Sequence, residues 1–135
     1  MNVQQKDVLI LILYSFLEST YGLQLAIKGN IKALQSQGFK YDQLLEGFYI
    51  RDKTGLTNVS RPSWKNERNS LYAIWFDDEN GNWLVGRGHV GFLRSSTSPD
   101  NGAPQEAKNW EYLDFNNYKW IMSSEISIKA GMQRE

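Results

Sequence analysis

Two apolar runs between residues 71 and 86, Leu71-Tyr-Ala-Ile-Trp-Phe-Asp77 and Asn82-Trp-Leu-Val-Gly86, flank the acidic turn Asp78-Glu-Asn-Gly81. β-Branched and aromatic residues on either side of an Asn-Gly pair predict a β-hairpin. In the first run Tyr72, Ile74 and Phe76 share one face of a strand, and Leu71, Ala73 and Trp75 share the other. Neither face is polar, so the pattern predicts a central strand covered on both sides.

Similar patterning recurs along the chain. Residues 45–52 alternate over their second half, with Phe48 and Ile50 opposite Tyr49 and Arg51. Residues 61–66 predict a short strand with Pro62 at its start or on an edge, because proline donates no ladder hydrogen bond. Residues 90–96, 109–114 and 118–122 predict further strands, and 125–130 a last one through Ile126 and Ile128. Gly55 and Asn58 mark one exposed loop, and Pro99, Gly102 and Pro104 mark another. Short strands separated by turn signals predict an all-β fold, a small antiparallel sandwich or barrel of about 6–8 short strands.

A hydrophobic N-terminal segment precedes this module. Lys6, the apolar stretch 8–17 and the small residues Thr20 and Gly22 have the layout of a signal peptide over residues 1–22, cut before Leu23. The alternative is a buried amphipathic helix or strand. The apolar stretch is shorter than the roughly 20 residues a bilayer requires, so no stable membrane span is expected. Residues 23–43 read as a lead-in, either extended or a short helix between Asn30 and Gly38; 44–130 form the β module and 131–135 a tail.

A chain of 135 residues, 41% hydrophobic, fits one compact domain. Fifteen of its eighteen aromatic side chains fall between Phe39 and Trp120, which supplies a core without disulfides. Cysteine is absent, excluding a disulfide framework, a thiolate metal site and a cysteine nucleophile. Lys and Arg number 15, as do Asp and Glu, so no long-range field favours nucleic acid and none is expected as a partner.

The succession Gly47-Phe-Tyr-Ile-Arg51, Arg61-Pro-Ser-Trp-Lys-Asn66, Leu71-Tyr72, Trp83-Leu-Val-Gly86, Ser95-Ser96, Pro104, Trp110 and Trp120 resembles a loosely defined aromatic-rich β module. Such modules recur, often in tandem, in large multidomain eukaryotic proteins. The resemblance implies a compact β fold and no assigned chemistry.

Candidate chemistry is sparse. The single histidine, His89, lies in a glycine-flanked link with no nucleophile-elbow pattern near any serine, and one imidazole without thiolates does not make a transition-metal site. Asp77, Asp78 and Glu79 cluster oxygen ligands, but Gly81 falls at the fifth position and not the sixth of an EF-hand loop, so a polar hairpin tip is expected. Among Asp77, Glu111 and Asp114 no spacing singles out a glycosidase pair. No catalytic residue, cofactor or metal is assigned. Asn58 opens an N-glycosylation triplet. Tryptophan faces stack on sugars and cations, and Trp64, beside Lys65 and a loop, is the one expected to be exposed, with Arg51 and Arg61 as polar neighbours.

The sequence therefore predicts a secreted, non-catalytic β module that acts by binding a protein or carbohydrate, or as an extracellular matrix component. An intracellular, cytoplasmic protein-interaction module, with its apolar start docked on a partner or on its own sheet, is the alternative. A small hydrolase using His89 or a carboxylate pair is the third reading.

Overall fold

The computed structural model describes residues 24–28, 45–52, 61–96 and 102–130. Residues 1–22, the 30–38 segment and Asn58 lie outside them. Nine strands form one sheet: β1 (Gln24–Lys28), β2 (Gly47–Arg51), β3 (Trp64–Asn66), β4 (Tyr72–Asp77), β5 (Asn82–Arg87), β6 (Val90–Arg94), β7 (Glu111–Asp114), β8 (Lys119–Met122) and β9 (Ser127–Ala130). Every neighbouring pair is antiparallel. Strands β1 to β8 run as a meander, and β9 pairs with the far side of β1. A 3₁₀ turn, Pro104–Glu106, interrupts the link between β6 and β7. Among the described residues no helix is long and apolar enough to cross a membrane.

The order of the sheet dictates its shape. Strands β8 and β9 stand at opposite ends of it, yet only residues 123–126 join them. Laid flat, the two edges would be about 38 Å apart at ordinary strand spacing, and so short a link reaches about 17 Å. The sheet must curl, and it forms a half-barrel with its apolar face inside. The expectation of an antiparallel all-β fold is met, but the sheet is single instead of a sandwich, and its nine strands exceed the six to eight expected. Part of the excess is β1, which falls within the stretch read as a lead-in; Leu25 and Ile27 alternate into the core from it.

Register builds the interior. Arg51, Trp64, Ile74, Val85, Leu93, Tyr112 and Ile121 are successive direct partners from β2 to β8, a lateral row along the concave face. All but Ile121, which packs against the cluster half-buried, are buried. Trp83 is the hub of the neighbouring layer, packed edge-on against Trp64 at 5.8 Å and Phe76 at 5.1 Å between ring centres. Ser95 holds the backbone of Trp83 from both sides: its N–H donates to the Trp83 carbonyl at 3.0 Å, and its Oγ accepts from the Trp83 N–H at 2.9 Å. Central β4 keeps one face dry through Tyr72 and Ile74, but the other face is only partly covered: Ala73 and Trp75 are half-buried and Leu71 is 53% exposed.

Between β5 and β6 the register shifts at Val85 and Gly86. A Cβ on Gly86 would stand 1.8 Å from the Val90 carbonyl oxygen, so the bulge closes only around a bare Cα. Gly86→Ala is expected to lower unfolding stability by about 3 kcal/mol, the upper part of the overpacking range, because the obstacle is backbone. Urea unfolding followed by tryptophan emission checks this, and an unchanged midpoint would contradict the bulge.

Candidate functional site

The residues chosen from sequence as a binding set do not form an exposed surface. Trp64 is 0% exposed, a correction to its expected position: its partners across the sheet, Arg51 and Ile74, fix its side chain on the concave face. Arg51 is also buried, with its guanidinium 5.5 Å from the centre of the Trp64 ring. Arg61 is half-buried, lies 3.9 Å over Phe76 and donates through Nη1 to the Gly102 carbonyl at 3.0 Å. It ties the link before β7 to the aromatic interior.

His89 sits in the exposed turn between β5 and β6 at φ 70, after Gly88 at φ 57. Two successive left-handed residues make the two-residue hairpin turn. The imidazole stands at the rim of a shallow outer hollow with Asp52, Ser63 and Ser70, where the Asp52 carboxylate pairs with Lys65 at 3.5 Å. Among the described residues no hydrogen bond reaches His89.

Three turns are built the same way. Asn66, Asp77 and Asp114 each accept, through Oδ1, the N–H groups two and three residues on. Asp77 and Asp114 each also accept from the amide of an asparagine three residues later, Asn80 at 2.7 Å and Asn117 at 3.0 Å. The acidic cluster at 77–79 is thus a hairpin tip whose first carboxylate is spent on its own turn. The fifth position is left-handed in both hairpins, Gly81 at φ 75 and Tyr118 at φ 53.

On the convex face a groove of about 610 Å³ crosses β5 to β8. Its floor is a second lateral row, Leu84, Arg94, Glu111 and Met122, again direct partners strand by strand. Arg94 donates through Nε to Glu111 Oε1 at 2.9 Å, and its guanidinium lies 4.3 Å over the centre of the half-buried Trp120 ring. These two contacts hold the arginine head in one orientation. Ser96, Asn80 and Asn109 stand around it, and Met122 is 65% exposed at one side. Asn82 is buried at another, its Oδ1 without a hydrogen-bond partner among the described residues.

The groove also brings Asp77 and Glu111 to one cavity, while Asp114 lies on the opposite face of β7. The sequence named Glu111 and Trp120 in other connections and did not single out Arg94. The period-two face shared by Trp120 and Met122 was the available signal.

Compared with protein-family models, curated proteins and solved structures, the chain matches none.

The Asn117 amide, followed by the backbone N–H groups of Asn116 and Asn117 and the charge of Lys119, holds the Asp114 carboxyl below its ordinary pKa, although burial opposes this. Burial, with the charge of Asp114 second, pushes the Tyr112 hydroxyl up. A depressed carboxylate stabilises the fold fully above its unfolded pKa, and that contribution is lost as pH falls through the lower folded value. Asp114→Asn is therefore expected to be less stable than the parent at pH 6, with the gap closing as pH drops below about 4. Urea midpoints of both proteins across pH 6 to 2.5 check this; a gap independent of pH would contradict it.

Proposed function

We propose that this chain is a secreted, non-catalytic β module that binds a carbohydrate in the convex groove over β5 to β8. The observation that carries the reading is the Arg94, Trp120 and Glu111 arrangement: an indole and a guanidinium held together, partly open to solvent, on a rigid sheet face. Sugar rings offer an apolar C–H face and a rim of hydroxyls. An indole surface matches the first, and the amide and hydroxyl side chains of Asn80, Asn109 and Ser96 match the second.

The position of the groove supports a ligand other than an extended peptide. A peptide that adds to a sheet needs unpaired main-chain groups. Beneath this groove β5, β6 and β7 each have a partner on both sides, so side chains supply the contacts. The edge at β8, unpaired among the described residues, lies two strands from Arg94, about 10 Å away.

Titration with a diverse panel of oligosaccharides is expected to shift tryptophan emission saturably for at least one of them. Trp120→Ala is expected to remove that response while leaving the urea midpoint within about 1 kcal/mol of the parent, because a surface substitution leaves the interior intact. Silence across the panel would contradict the carbohydrate reading. The secretory part rests on residues 1–22. A mass measurement on the product of a secreting host is expected to show cleavage after Gly22 and a glycan at Asn58; a chain retained in the cell and still starting at Met1 would contradict it.

A further inference from the structure

We infer that the ligand of the convex groove is an acidic oligosaccharide, with a sugar carboxylate seated on the free fork of Arg94. The inference rests on the carbohydrate reading above and adds the charge of the ligand.

A guanidinium presents five N–H donors along its edges. In Arg94 the Nε edge is committed to Glu111 Oε1 at 2.9 Å, and the Trp120 ring lies 4.3 Å below the central carbon. Among the described residues Nη1 and Nη2 have no hydrogen-bond partner, and the side chain is 33% exposed. What remains is a pair of parallel donors on a part-exposed side chain that two other contacts hold in one orientation. That geometry matches the two oxygens of a carboxylate, and Arg is the side chain whose fork makes both bonds at once.

Two carboxylates share the groove with Arg94 and keep their negative charge, so the preference rests on the geometry of the fork and not on the local field. Glu111 already has its Oε1 on Arg94, and Asp77, the other carboxylate in the groove, accepts three hydrogen bonds inside its own turn. The Leu84 side chain covers Gly91, where a Cβ would come within 3.1 Å of Leu84 Cδ2, and so makes the floor apolar. A six-membered ring carrying a carboxylate thus has an apolar floor at Leu84, an indole and the Met122 side chain for its C–H face, and amide groups for its hydroxyls. The buried Oδ1 of Asn82 lacks a donor from the described residues, which fits a hydroxyl-bearing ligand at that end.

With a formal net charge of zero, the chain has no general attraction for polyanions, so preference for an acidic sugar has to come from this one contact. The deciding measurement is calorimetric titration of the full chain with uronate-bearing and sialate-bearing oligosaccharides. Each is paired with the same oligosaccharide after reduction of its carboxyl to an alcohol, and acidic peptides form a further arm. The acid form of at least one pair is expected to bind about 10-fold more tightly than its reduced counterpart, the worth of a charge-assisted bidentate contact at a part-exposed site. Arg94→Lys keeps the positive charge but not the fork. It is expected to erase that margin, so that the acid and reduced forms bind the variant with affinities within about 2-fold of each other.

Equal binding of acid and reduced forms would overturn the inference and leave the carbohydrate reading standing. Binding of no oligosaccharide in either form, whether or not acidic peptides bind, would overturn both. A margin that survives Arg94→Lys would place the carboxylate elsewhere and overturn the assignment to this fork.

Discussion

A sheet with one apolar face and no second layer can bury that face only by wrapping around it, and this requirement governs the whole molecule. The concave side has to be filled to interior density by its own side chains, at a width set by the curl. The chain meets this with large planar groups. Trp64, Trp83, Tyr49, Tyr72 and Tyr112 are all fully or almost fully buried, and their rings meet edge to face where distances are short. Arg51 belongs to the same filling. Its guanidinium over Trp64 makes a buried cation part of an aromatic stack, and the half-buried Arg61 lies over Phe76 at the other end.

With the interior used up in this way, the proposed ligand is one met on the convex face. Backbone groups there are committed to the ladders, so recognition must come from side chains standing off the sheet. The row Leu84, Arg94, Glu111 and Met122 is the outer counterpart of the row Val85, Leu93, Tyr112 and Ile121, offset by one residue on each strand. One pleat therefore sets both the core and the groove. The bulge at Gly86 lies in the same hairpin as four of the groove residues, Asn82, Leu84, Gly91 and Arg94, so the geometry that shapes the strand pair also shapes the groove.

Much of this architecture was readable in the sequence, for physical reasons. Period-two alternation and turn chemistry located β2 to β9, since both act over neighbouring residues. Aromatic residues in the alternating segments mark the interior, and Tyr49, Trp64, Trp83 and Trp110 are all buried. What the sequence hid were long-range facts. Strand β3 is three residues, Trp-Lys-Asn, too short to show which face is apolar, and only its pairing with β4 turns Trp64 inward. The Arg94 and Glu111 contact spans the link of residues 95–110, across which no local pattern gives register. Strand β1 sits in a glutamine-rich stretch whose place in the sheet is set by partners far along the chain, β2 and β9. A salt bridge and a cation stack created by pairing leave no mark on either strand alone.

The pairing of the last strand with the first gives the molecule a timetable. On a ribosome, β1 is made first of the nine strands and waits through the 98 residues between it and β9 before Ser127–Ala130 emerges to lie against it. Until then one flank of β1 has no permanent neighbour, and the aromatic interior is sealed on one side only. Contacts so distant in sequence slow folding and lengthen the exposure of a sticky edge. Nascent molecules of this design are accordingly most in need of a holding chaperone until β9 has emerged, and loss of β9 would damage yield far more than the small size of the missing piece suggests.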